Sequence, residues 1–270
     1  MTTQTKKATI DWLTTIAIAG IAISLTIAIH EGFHALACIA VGGNLLEYSA
    51  LHVQCSVLPT APDKFVAGSA AIGNILLGLA ILAYLRSNSP KTSELKFFLW
   101  LFMLMNWMNG AGYLMFSGIA NVADWAEVIQ SWEPPWLWRT VLTVVGTGLY
   151  TLFVWLALAE LGKIIGGTEE EQISRAVKLG LISYATAVFV VLGAGFFSPF
   201  GMSSLAVVAG LIGIVAGMSP LLWMMQWFRA KMFVKLQGQA LAIQRQWRWI
   251  IVSVVVVLVY VVILGRTIYF

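Results

Sequence analysis

The sequence predicts an all-α integral membrane protein, a polytopic helical bundle of about seven transmembrane helices. Three observations predict it. The 270 residues are 60% hydrophobic and only 10% charged, with a mean hydropathy of +0.87, far above a soluble globular chain. The apolar residues fall in runs of about 20, the length that crosses a hydrocarbon core. Lysine and arginine then collect in alternate loops, as they do on the cytoplasmic side of membrane proteins.

The spans follow in order. The first runs from Ile10 to Val41, longer than a bilayer requires, so it must tilt or protrude; it is also too long for a cleaved signal peptide. The second runs from Phe65 to Leu85, the third from Phe97 to Phe116 and the fourth from Leu137 to Leu161. Leu179 to Phe197, Ser204 to Phe228 and Trp249 to Leu264 complete the set. The 12 tryptophans and seven tyrosines suit the interfacial belts where amphipathic rings sit at headgroup depth. No repeat, low-complexity tract or sizeable soluble domain interrupts this pattern.

Basic residues orient the bundle. With the N-terminus inside, Lys6, Lys7, Arg86, Lys91, Lys96, Lys163, Arg175, Lys178, Arg229, Lys231, Lys235, Arg245 and Arg248 lie in the cytoplasm. That is thirteen of the 16, leaving Lys64, Arg139 and Arg266 outside, which places the C-terminus outside. The pI of about 9.1 therefore reflects membrane topology, and no nucleic-acid partner is expected. The stretch from Arg229 to Arg248, with Trp247 and Trp249, suits anionic headgroups or an ordinary cytoplasmic loop. Two cysteines, Cys38 and Cys55, are too few for a disulfide framework. Cys38 lies four residues after His34 and reads as a small packing residue or a thiolate ligand.

Within the first span stands His30-Glu31-Gly32-Phe33-His34. Residues four apart share one face of a helix, so His30 and His34 can offer two imidazole nitrogens to one metal ion. Glu31 is placed beside them to act as general base on an attacking water. Polar residues facing a neighbouring helix would be the plainer reading, but titratable groups are costly in lipid and call for a function. A catalytic zinc needs three protein ligands and an open position. Asp124, after the third span, falls on the same membrane side as the histidines, which lie roughly 27–33 Å into the first helix. Glu127, His52 and Glu47 are the alternatives, and Asp124 would equally suit a helix N-cap before Trp125. Asn106 and Asn109 can hydrogen-bond between helices, bind an extended backbone or stabilise an oxyanion. Gly110, Gly112 and Gly118 permit irregular backbone or close packing, and Gly213-x-x-x-Gly217 reads as a helix contact. Glu169, Glu170 and Glu171 suit a helix N-terminus.

HEGFH, followed by Ala35-Leu36-Ala37 and Val41-Gly42-Gly43, resembles the site-2 protease family of intramembrane zinc metalloproteases. The resemblance covers about residues 12 to 130. It implies Zn2+ on His30, His34 and Asp124, Glu31 as catalytic base, and peptide-bond hydrolysis in membrane-embedded or membrane-tethered substrates. Asn74 matches an asparagine of the family's Gly-Pro-x-x-Asn element, with Ala70 and Ala71 replacing the Gly-Pro pair. Asp124-Trp125 stands where the family usually has Asp-Gly, and no proline lies between Asn109 and Asp124. Many members place zinc toward the cytosol, whereas the charge count puts this site on the opposite side. Residues 10–132 form the metalloprotease-like core on this reading, and 133–270 an additional transmembrane scaffold. The alternative is a catalytically silent relative acting as a membrane chaperone or assembly scaffold. Three histidines are too few for a diiron lipid oxygenase, and a transporter would spread charges through several spans. Neither substrate nor oligomeric state is named by the sequence.

Overall fold

Asp11 opens the first helix, α1 (Trp12–Ala40), by accepting the Thr14 N–H at 2.9 Å, a side-chain cap that satisfies one orphan donor of the first turn. Residues 9–88, 90–166, 170–202, 205–229 and 241–270 are described by the computed structural model, so Lys6, Lys7, Glu169, Ser204, Lys231 and Lys235 lie outside the described residues. A short hairpin, β1 (Leu45–Tyr48) and β2 (Val53–Cys55), leads to α2 (Thr60–Ser87) and α3 (Ser93–Ala120). Then come the small α4 (Asp124–Ile129), α5 (Pro135–Ile165) and α6 (Glu170–Phe197). The next expected span is broken into α7 (Leu205–Gly217), α8 (Pro220–Trp223) and α9 (Gln226–Arg229), because Pro220 has no N–H to continue a helix and instead starts a new one. The last helix, α10 (Trp247–Leu258), loosens into a π turn (Val259–Ile263) before a final strand, β3 (Ile268–Tyr269).

Among the described residues, six helical stretches are long and apolar enough to cross a membrane: Trp12–Ala40, Thr60–Ser87, Pro135–Ile165, Glu170–Phe197, Gly210–Phe228 and Trp247–Arg266. α3 is as long as these but more polar, carrying Glu94, Lys96, Asn106 and Asn109. It tolerates that polarity because protein surrounds it. Trp100, Met103, Leu104, Met105, Trp107 and Met108 are all buried, the Trp100 indole donates to the Ala157 carbonyl at 2.9 Å, and Trp107 stacks on Phe153. Close approach to its neighbours requires glycine. A Cβ on Gly110 would stand 2.6 Å from the Ala71 carbonyl of α2, and one on Gly146 of α5 would stand 2.4 Å from the Met115 nitrogen of α3. The glycines of α3 therefore serve helix packing within a continuous helix, not irregular backbone.

The fold is not purely helical. The three strands form an antiparallel sheet in the order β2-β1-β3, so the C-terminus is tied to the α1–α2 connection. Strands of two to four residues, the last of them paired across more than 200 residues, leave too little local periodicity to be read from sequence. Cys38 and Cys55 are joined in a disulfide that fixes β2 to the end of α1, which replaces both roles expected for Cys38.

Basic groups separate between the two ends of the bundle. At the end away from the hairpin, Arg86 and Lys163 clamp the buried Glu160 at 3.0 and 2.9 Å, Arg175 donates to the Leu241 carbonyl, and Arg245 grips Asp11 with 2.8 Å between nitrogen and oxygen. Lys64, which donates to the Gln130 carbonyl, and Arg139, which donates to the Gly118 and Ile119 carbonyls, lie at the hairpin end. Arg266, beside Phe197 and two residues before β3, lies there too.

Candidate metal centre

His30 and His34 occupy successive turns of α1, and both turn Nε2 toward one oxygen of Asp124. The separations to Asp124 Oδ2 are 3.2 Å and 3.4 Å, across ninety residues of chain. The three ligand atoms lie within 4.8 Å of one another.

The hydrogen bonds behind the rings fix what those nitrogens can be. His34 Nδ1 lies 2.8 Å from the Val66 carbonyl, which can only accept, so Nδ1 carries the proton. For His30 the same conclusion passes through three residues. Asn106 Nδ2 donates to the Phe102 carbonyl, which orients that amide and leaves its Oδ1 to accept from Asn74 Nδ2 at 2.7 Å. Asn74 Oδ1 then faces His30 Nδ1 at 2.7 Å and accepts its proton. Nε2 is thus the nitrogen that each ring turns to the site, toward a carboxylate oxygen that is buried and has no hydrogen-bond donor. With neutral imidazoles all three atoms are acceptors, an arrangement that needs a cation among them, a metal ion or a proton. A tetrahedral zinc with ligand bonds of about 2.0–2.1 Å separates its ligand atoms by about 3.3 Å. The two separations to Asp124 match that spacing, and two imidazoles with a carboxylate are a donor set that suits the ion.

The backbone before Asp124 is bent to deliver it. Asn121 closes α3 in the left-handed conformation that asparagine tolerates, and Ala123 holds φ 68° and ψ −174°, a region otherwise used by glycine. Asp124 is consequently the first residue of α4, with Ala123 in the cap position and no side-chain cap bond, so its carboxylate faces the histidines and the N-cap role is not taken up.

Glu31 is buried and lines a cavity of about 530 Å³ that also touches His34 and Asp124. The cavity is walled by β2, by Val66 and Ala67 of α2, by Tyr113 and Phe116 of α3, and by Gly210 and Gly213 of α7. A Cβ on Gly213 would meet nothing within 4 Å, so only Gly217 of that pair approaches another helix, near Gly112 and Met108.

Glu127 and His52 line the cavity but stand outside the three-residue cluster. Burial, Asp124 and Asp63 together raise the Glu127 pKa. For His52, burial lowers it against the opposing charge of Glu47. Glu47 belongs to β1 and is not in the cavity wall. Cys38, one turn beyond His34, cannot be a thiolate ligand because its sulfur is bonded to Cys55. Asn106 and Asn109 hydrogen-bond toward Asn74, the interhelical role among those expected. The positions that sequence reasoning missed are Tyr113, and Val66 as the carbonyl that orients His34. Tyr113 lies one further turn along the face that carries Asn106 and Asn109, and that spacing was the available signal.

Comparison with protein-family models, curated proteins and solved structures returns no match for this chain. Fold and site together define a helical bundle with membrane-length apolar helices and a His-His-Asp group, buried at His30 and half-buried at His34 and Asp124, that could hold a metal ion.

Proposed function

We propose that this chain is an intramembrane zinc-dependent metalloendopeptidase akin to the site-2 protease family, acting on membrane-embedded or membrane-tethered substrates. The observation that carries the reading is the convergence of His30, His34 and Asp124 beside Glu31, at the wall of a cavity large enough for a peptide segment. His30, His34 and Asp124 would hold the zinc, which when bound supplies Lewis acidity and a lowered pKa for water. Glu31 takes a proton from the attacking water as the new carbon–oxygen bond forms. It returns that proton to the amine nitrogen as the carbon–nitrogen bond breaks, so charge and protons balance over the cycle. β2 is an edge strand of its sheet and lines the cavity, leaving backbone groups for an extended substrate segment.

The charge distribution and the disulfide support a topology. Counting α3 as a span shielded by its neighbours gives seven passes, with the termini on opposite sides. The cluster of Arg86, Lys163, Arg175 and Arg245 at one end supports a cytoplasmic assignment for that end. The Cys38–Cys55 disulfide supports an oxidising compartment for the other, where the metal cluster lies. Residues 133–270 would serve the core by burying α3 and, through α7, by closing the cavity.

The test is zinc content of purified protein together with cleavage of a synthetic transmembrane peptide. His30→Ala and Asp124→Ala are expected to lose metal, whereas Glu31→Gln keeps it and loses cleavage. Full zinc in Asp124→Ala would remove that residue from the site, cleavage by Glu31→Gln at the wild-type rate would remove Glu31 as the base, and absence of cleavage by zinc-loaded wild type would end the hydrolytic reading in favour of a silent scaffold.

A further inference from the structure

Tyr113 stands in the wall of the cavity with its ring tilted against His30, the two centroids 4.8 Å apart. Other tyrosine hydroxyls near Glu31 are spent on backbone. Tyr48 donates to the Ala28 carbonyl and Tyr260 to the Ala50 carbonyl at 3.1 Å. The Tyr113 hydroxyl has no hydrogen-bond partner among the described residues, and it is not among the polar atoms sealed from solvent. It is a donor in the wall of the cavity that Glu31 and Asp124 also line.

Peptide hydrolysis builds negative charge on the carbonyl oxygen, and a donor waiting at that position stabilises the transition state more than the ground state. Asn106 and Asn109, the donors that sequence suggests, do not line the cavity: the Asn106 amide nitrogen donates to the Phe102 carbonyl and to Thr26, and that of Asn109 faces Asn74. We infer that Tyr113 is the side chain that donates a hydrogen bond to the substrate carbonyl oxygen as the scissile carbon becomes tetrahedral. The inference rests on the hydrolytic reading above. The phenol keeps its proton throughout, so the roles of Glu31 and of the water are unchanged.

The test uses the full chain in detergent, wild type and Tyr113→Phe. Two probes are titrated: acetohydroxamate, which needs the metal, and an N-acetylated alanyl-alanine phosphinic dipeptide, whose tetrahedral PO2− copies the developing oxyanion. Tyr113→Phe is expected to keep the zinc content, the melting temperature and the acetohydroxamate affinity. Its affinity for the phosphinic dipeptide should fall on the order of 10- to 100-fold, as for a lost hydrogen bond to a charged oxygen. On a cleaved transmembrane peptide, kcat should fall about 100-fold or more with KM little changed. Tyr113→His, which restores a donor, should recover part of both losses. Equal phosphinic affinity in wild type and Tyr113→Phe would overturn the assignment, as would absence of phosphinic binding to zinc-loaded wild type. Parallel loss of zinc or of folding in Tyr113→Phe, with Tyr113→His no better, would make Tyr113 structural and overturn it as well. A wild-type chain that binds no zinc would instead remove the underlying metalloenzyme reading.

Discussion

Replacing Asn74 by leucine removes the acceptor that holds the Nδ1 proton of His30 at 2.7 Å, in a position where no water can replace it. The ring is then free to rotate or to move its proton to Nε2, the nitrogen turned toward Asp124. Outer-shell partners of metal-bound histidines are worth roughly 10- to 100-fold in metal affinity, or about 1.4–2.8 kcal/mol. The same substitution strands the Asn106 Oδ1 and the Asn109 Nδ2 inside the bundle, which should cost stability of about 1–3 kcal/mol. Competition titration against a zinc chelator measures the first effect and a thermal melt in detergent the second. Asn74→Asp separates them, because it keeps an acceptor for His30 and loses only the donor to Asn106. Its zinc affinity should stay within about threefold of wild type while its melting point still falls. If Asn74→Leu bound zinc as tightly as wild type, the proton assignment on His30 would be wrong, and with it the account of how the Nε2 lone pair is held in place.

Gly110→Ala should destabilise the protein by about 1–3 kcal/mol in a thermal melt, since its methyl group would press on the Ala71 carbonyl and on Ile75 across the α2–α3 contact. Paired Cys38→Ser and Cys55→Ser substitutions should cost about 3 kcal/mol from the loss of a 17-residue closure, read as a lower melting point and as the loss of a mobility shift between reducing and non-reducing gels. Ala123→Gly should raise stability by about 1 kcal/mol without changing zinc content, because glycine occupies the φ 68°, ψ −174° region without strain. An unchanged or lowered melting point would show that the left-handed backbone at Ala123 carries no measurable cost.

The parts of the site that could be read from the chain were the local ones. HEGFH announces itself because four residues make one helical turn, so the spacing of His30 and His34 is already a statement about direction. Helix order could likewise be read, since each apolar run must satisfy its own length against the bilayer. Asp124 could only be ranked above Glu127, His52 and Glu47. What separates them is the turn at Asn121 to Ala123, and nothing in the residue types there announces a left-handed alanine. Cys38 shows the limit from the other side. One turn from His34 it looked available to the metal, yet its distance to Cys55 depends on where the hairpin folds back.

The sequence by itself determined the apolar character of this protein's helices, their order and the two imidazoles with their neighbouring carboxylate. Those features depend on composition and on a period of 3.6 residues, which operate within a few turns. Tertiary structure alone decided which carboxylate completes the cluster, which nitrogens carry the protons, and which hydroxyl stays free above the cavity. Each of those depends on atoms brought within about 3 Å from helices dozens of residues apart, and only the packing of α2, α3 and α4 against α1 places them there.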